Sequence, residues 1–230
     1  MTARKVLPRS FYAGDALQVA PALLNKVLVR GRRAGRIVEV EAYRGSDDPA
    51  SHAYRGPTRR NATMFGPPGR LYVYFTYGMH WCANVVCAPG GEAQAVLLRA
   101  LAPLSGVAEM RRGRLTDRQL ASGPARLCQA LGITGEDDGA DLVRGDRRLK
   151  VVDDGTPPPP RVGVSGRVGL SSAAELPWRF FVPDDPHVSR GPAPMVAAAI
   201  RRRAAAAWAG TAPESSRGSE RGRSADRRGL

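Results

Sequence analysis

Arg36-Ile37-Val38-Glu39-Val40-Glu41-Ala42-Tyr43 is the stretch on which the reading of this chain turns. Its period of two predicts a strand with Val38, Val40 and Ala42 on one face and Glu39, Glu41 and Tyr43 on the other. A dry core has no use for two carboxylates side by side. A site that activates a water or steadies a cation does. Further on, Leu71-Tyr72-Val73-Tyr74-Phe75-Thr76-Tyr77-Gly78 brings three tyrosines close together. Acid and aromatics together point to a pocket for a flat, electron-poor ring.

The flanking segments suggest how that strand is held. Asp15 is placed to cap a helix through about Leu24, which Pro21 would kink or end early. Lys26 to Arg30 reads as a short strand, followed by a turn over Gly31 to Gly35. Residues 44–69 are rich in Gly, Pro, Ser, Asp and Arg and form a long loop, which inside a domain is usually functional. Three strand-like runs, 70–77, 81–88 and 93–101, are separated by Gly78 and by Pro89-Gly90-Gly91, as in a meander. Thr116 to Gln119 has the pattern of a capping box. Ser122 to Gly132 predicts a helix with Pro124 in its first turn and Gly132 beyond its end. Strands recur at 141–152, 161–169 and 178–183, around a loop at Pro157 to Pro160. Strands, then helices, then strands suggest an α+β fold. Met195 to Ala209 reads as helical and 210–230 as disordered.

The 230 residues are 43% apolar, enough for one substantial core. Thirty-five Lys plus Arg against 21 Asp plus Glu give a net charge of +14, which favours a polyanion. The last thirty residues carry only +5 of this, so the field does not depend on them. Lysine occurs only at 5, 26 and 150. No apolar run approaches the ~20 residues that span a bilayer, and the N-terminus lacks a signal-peptide core. Both indicate a soluble, intracellular protein. Cys82, Cys87 and Cys128 are odd in number and without disulfide spacing, which fits a reducing compartment. His80-x-Cys82-x4-Cys87 has no second ligand pair at zinc spacing, so buried thiols and no metal are expected.

Several polar groups interrupt apolar runs. His52 lies in the long loop, with Arg59, Arg60 and Met64 after it. Asn84 shares a strand face with Cys82 and Val86, and Arg99 with Leu97 and Leu101. A guanidinium there needs a partner, and Glu41 is the candidate.

Seven motifs in order, RIVEVEAY (36–43), SHAYRGPTRRNATMF (51–65), GRLYVYFTYGMHWCANVV (69–86), AVLLRALAP (95–103), SGPARLCQALGI (122–133), RVGL (167–170) and PWRFFV (177–182), carry a resemblance. From about Phe11 to Val188 the chain resembles the alkyladenine (3-methyladenine) DNA glycosylase family in its bacterial form. That resemblance implies a single α+β domain over residues 1–190, a mostly antiparallel curved β-sheet flanked by helices. A basic Ala/Arg-rich extension over 191–230, helical then disordered, would follow it.

The resemblance also implies a mechanism. Such enzymes flip a damaged nucleotide out of double-stranded DNA, because the glycosidic bond is inaccessible in the stack. Glu41 would activate the attacking water, with Arg99 helping to hold water and carboxylate. Tyr43 and Tyr74 would sandwich the base, His52 would hydrogen-bond beside it, and Asn84 would crowd the 2-amino group of guanine. Tyr77 would be the wedge that fills the gap and Met64 its apolar support. Arg59 and Arg60 would contact DNA. The expectation is a monofunctional, cofactor-free, cytoplasmic and nucleoid-associated monomer. Lyase chemistry would need a lysine in the constellation, and none lies there. Two departures stand out: Asn25 where the family has glycine, and a slightly short segment between Leu170 and Pro177. The rival readings are a non-catalytic nucleic-acid-binding module of related fold and a nuclease, which would want a carboxylate cluster for metal.

Overall fold

The computed structural model describes residues 4–111, 116–196, 198–200 and 202–203. Among these residues nine strands form one antiparallel sheet, ordered β1-β7-β2-β3-β6-β5-β4. These are β1 (Lys5–Val6), β2 (Val27–Arg30), β3 (Arg33–Tyr43), β4 (Leu71–Thr76), β5 (His80–Cys87), β6 (Gln94–Ser105), β7 (Leu149–Asp153), β8 (Gly163–Ser165) and β9 (Arg179–Phe181). β9 pairs with the second half of β3, beyond the reach of β2, and β8 pairs with β9. The helices are α1 (Arg9–Tyr12), α2 (Ala16–Leu23), α3 (Val107–Arg111), α4 (Asp117–Leu120) and α5 (Pro124–Leu131). The α+β class and the curled antiparallel sheet expected from the sequence are what the chain forms. No helix of the described residues is long and apolar enough to cross a membrane.

The core lies between the sheet and helices α2 and α5. Ala16, Val19, Ala20 and Leu23 of α2 sit at i, i+3, i+4 and i+7 and are all buried. α5 adds Leu127, Cys128, Ala130 and Leu131. Against them the sheet turns Leu71, Val73, Ala83, Val85, Cys87, Val96 and Leu98. Each buried leucine here contributes roughly 2 kcal/mol of transfer free energy.

Local signals set both helices. Asp15 caps α2, its Oδ1 accepting from Leu17 N at 2.8 Å, and Gln94 Oε1 accepts from Ala16 N at 2.7 Å, pinning the helix start to β6. Pro21 does not end α2, which runs on to Leu23. Asn25 follows with φ +66°, the left-handed region in which asparagine is the best replacement for glycine. The Asn25 departure is thus a conservative one. α5 starts on Pro124, and the Gly132 N–H at φ +71° donates back to Cys128 O and Gln129 O.

Several sequence expectations change. β3 begins at Arg33, so the turn is only Gly31-Arg32 and not Gly31 to Gly35. Residues 141–148 form turns, and the strand starts at Leu149. Thr116 makes no side-chain cap hydrogen bond to α4. The Met195–Ala209 helix is seen at 198–200 and 202–203, while 197, 201, 204–209 and the expected disordered stretch 210–230 lie outside the described residues.

The largest correction falls on the strand that opened the reading. Its register on β6 runs Ile37↔Leu101, Glu39↔Ala100, Val40↔Leu98. Val38 is therefore an extra residue on β3 and Arg99 an extra residue on β6, a pair of facing bulges. Strict alternation fails there. Ile37, not Val38, joins Val40 and Ala42 in the main core, and Leu101 joins them while Leu97 stays on the opposite face beside Glu41 and Asn84. Bulges raise the local twist and re-aim side chains, and here they aim Arg99 at the two glutamates.

Candidate active site

The face away from the helices holds the polar residues. Cross-strand pairing sets Glu41, Leu97, Asn84 and Tyr72 in one row over β3, β6, β5 and β4. Above it, the loops around residues 45–69 and 166–176 border a cleft. Tyr43, Ala50, Ser51, His52, Met64, Tyr72, Tyr74, Asn84, Ala95 and Leu170 line it. Five residues singled out in the sequence (Tyr43, His52, Met64, Tyr74 and Asn84) thus meet in one place.

Glu41 and Arg99 stand behind this cleft. Glu41 is fully buried. Its Oε1 accepts from Val168 N at 2.8 Å; its Oε2 accepts from Tyr43 Oη at 3.1 Å and lies 3.3 Å from Arg99 Nη1. Arg99 Nε also donates to Glu39 Oε1 at 2.9 Å, so this one guanidinium bridges both carboxylates of the strand. Glu39 accepts three further hydrogen bonds: Arg179 Nε (2.7 Å) and Ser189 Oγ (2.8 Å) also donate to Oε1, and Ser189 N (2.7 Å) donates to Oε2. Burial alone would raise the Glu39 pKa, but Arg99, Arg179 and the Ser189 N–H hold it below the ordinary carboxylate value. Burial likewise opposes the Arg99 charge, and Glu41 and then Glu39 more than offset it. Two acids against two arginines leave the network without net charge, which is what makes it tolerable in a dry interior.

The lining differs in character. Burial, followed by the Glu41 charge, pushes the Tyr43 hydroxyl well up, so it stays protonated and donates to Glu41. Burial raises Tyr74 as well, and takes Tyr72 to about 12. His52 Nδ1 lies 3.0 Å from Tyr72 Oη, and its ring stands edge-on to Tyr74 at 4.5 Å. Partial burial, then the nearby Arg60 charge, lowers the His52 pKa from its ordinary value. Asn84 Nδ2 donates to Tyr72 O at 3.2 Å. The buried Asn61 knots the loop, donating from Nδ2 to His52 O and Gly56 O while Oδ1 accepts from Thr58 N.

The residues expected on the DNA side separate. Tyr77 is 81% exposed at the tip of the β4–β5 hairpin, at φ +50°, with Met79 at 67% beside it. A non-glycine residue in the left-handed region stores strain, and such strain clusters at functional tips. Arg59 is exposed. Arg60 lies 5.7 Å from the Tyr74 ring centre, and its Nη2 donates to Phe75 O. Met64, expected as the apolar support of Tyr77, is 3% exposed and packs with Ala53, Tyr72, Val86, Ala93 and Ala95 under the cleft. The 3₁₀ turn Ala62–Phe65 carries it inward.

Sequence reasoning gave no role to Arg167, Asp48, Arg179 or Ser189. Arg167 and Asp48 form a bidentate pair, both buried, at 2.5 and 2.8 Å. Arg167 lay within a quoted motif, but nothing local marks its partner. Cys82, Cys87 and Cys128 are buried and free.

A buried, charge-compensated carboxylate behind an aromatic cleft is the equipment of a hydrolase acting beside a flat ring. The family model described as methylpurine-DNA glycosylase (MPG) matches residues 10–186. A Burkholderia lata protein named "Putative 3-methyladenine DNA glycosylase" is 56% identical over 188 residues, 80% of this chain and 91% of its own. Relatives of the same name from Leifsonia xyli and Agrobacterium fabrum are 52% and 48% identical, over 79% and 80% of this chain and 90% and 92% of their own. The chain is accordingly a DNA glycosylase, a hydrolase of N-glycosyl bonds. It belongs to the methylpurine-DNA glycosylase family.

Proposed function

We propose that the chain is monofunctional and excises alkylated or deaminated purines from double-stranded DNA, acting as a monomer without a cofactor. The damaged nucleotide leaves the stack, with Tyr77 taking its place, and the base enters the cleft between Tyr43 and Tyr74. Glu41 then activates a water for attack at the anomeric carbon and balances the positive charge that grows on the sugar. The observation that carries this reading is the bonding of Glu41. Arg99 and Tyr43 hold Oε2, while among the described residues Oε1 accepts only the Val168 N–H. A carboxylate oxygen has two acceptor sites, so Oε1 keeps one for a water.

An electron-poor or cationic purine gains from tyrosine faces, which favours a damaged base over a normal one. The placement of the lysines supports the monofunctional reading. Lys5 lies on β1 and Lys150 on β7, and Lys26 precedes β2 and pairs with Asp153 at 2.7 Å, all on the far half of the sheet. Glu41→Gln is the test: base release from 3-methyladenine DNA falls by at least about 10³-fold, within the range of general-base contributions, while DNA binding persists. Release at the wild-type rate refutes the mechanism.

A further inference from the structure

We infer that Arg167 is a positioning residue that locks the floor of the base cleft to the Glu41 carboxylate. This rests on Glu41 being the group that activates water. Arg167 is 2% exposed and lies outside the cleft lining, so it does not touch the base. Its guanidinium sits between two rings, with Cζ 4.7 Å from the Tyr43 centre and 5.0 Å from the Trp178 centre.

Four hydrogen bonds fix the fork. Nη1 donates to Asp48 Oδ2 (2.5 Å) and to Ala42 O (3.1 Å), and Nη2 to Asp48 Oδ1 (2.8 Å) and to Ala173 O (3.1 Å). These partners belong to three separate pieces of chain: the end of β3, the loop leading to His52, and the loop leading from Leu170. The residue after Arg167 supplies the N–H that holds Glu41 Oε1, and the ring stacked on Arg167 supplies the O–H that holds Glu41 Oε2. Each oxygen of the carboxylate is therefore held by a group that Arg167 places.

A pure packing role would not need this set. Burying a guanidinium and a carboxylate is rarely better for stability than apolar residues of similar volume. Among the described residues the Arg167 Nε also has no hydrogen-bond partner, which costs stability. What the arrangement supplies is orientation. A planar fork that stacks and bonds at two points fixes a plane and a direction, and lysine supplies neither.

The test uses Arg167→Lys and Asp48→Asn in the full chain, with Glu41→Gln alongside. Single-turnover base release is measured against enzyme concentration, per folded molecule, with melting temperature recorded separately. Both positioning variants are expected to lose about 100-fold in the rate at saturating enzyme, the scale of a 1 Å misplacement. The half-saturating concentration is expected to stay near wild type. Folded Arg167→Lys and Asp48→Asn proteins that release base at the wild-type saturated rate overturn the inference, as does a loss confined to half-saturation. If Glu41→Gln itself releases base normally, the proposed mechanism fails. If it is inactive while the other two are fully active, only the Arg167 inference fails.

Discussion

Replacing Glu39 with glutamine separates the two carboxylates of the opening strand, and its size follows from the contacts. Glu39 Oε1 accepts from Arg99 Nε, Arg179 Nε and Ser189 Oγ, and Oε2 from Ser189 N, all between 2.7 and 2.9 Å. A glutamine has one acceptor end. Turned either way, its NH₂ meets the two guanidiniums or the Ser189 N–H. Among the described residues Arg99 then keeps Glu41 as its acidic partner, while Arg179 is left with the Ser165 hydroxyl and the Ser189 carbonyl. Removing one partner of a buried pair costs about 3–5 kcal/mol. At 2–4 °C per kcal/mol for a domain of this size, that corresponds to a fall of roughly 6–20 °C in Tm.

The pH dependence adds a second check. The folded pKa of Glu39 lies below its ordinary value, so its stabilisation is complete above that value, about 4.3. It is lost as pH falls through the folded pKa. Wild type and Glu39→Gln should therefore differ most near pH 7 and converge below about pH 4. Thermal or denaturant unfolding from pH 7 down to 3 measures both quantities. A variant within about 1 kcal/mol of wild type at pH 7, or a gap that does not narrow in acid, refutes the reasoning.

Tyr43→Phe keeps the ring and removes the hydroxyl that donates to Glu41 Oε2. A hydrogen bond to a charged group is worth about 1.5–3 kcal/mol, so single-turnover base release should drop roughly 10- to 150-fold with DNA binding unchanged. Tyr77→Ser removes the exposed hairpin tip. Stacking on a base is worth about 1–3 kcal/mol, so a titration with lesion-containing duplex should show roughly 5- to 150-fold weaker binding and no change in Tm beyond the scatter of surface substitutions.

What was legible in the sequence was local. The α5 boundaries could be read because Pro124 and Gly132 act through their own backbone angles. The β4–β5 hairpin could be read because alternation and Gly78 mark it. The cleft-facing set Tyr43, Tyr74 and Asn84 could be read because polar and aromatic groups interrupt apolar strands every second residue. The inward position of Met64 was not legible because a loop of many residues has no period. Only the 3₁₀ turn over Ala62–Phe65 shows that its side chain points inward. The faces of Val38 and Leu101 were misread because a bulge belongs to a pair of strands, and one strand alone cannot show it.

The sequence by itself determined that two glutamates and an arginine would be embedded in apolar strands beside a run of tyrosines, since that follows from residue order and the two-residue strand period. Only the tertiary structure decided how the charges pair. Facing bulges turn Arg99 to both glutamates, Arg179 and Ser189 also hold Glu39, and Arg167 finds Asp48 from 119 positions away. A buried charge must be neutralised by whatever group the fold brings within hydrogen-bonding distance. That distance is set by packing, and spacing along the chain does not encode it.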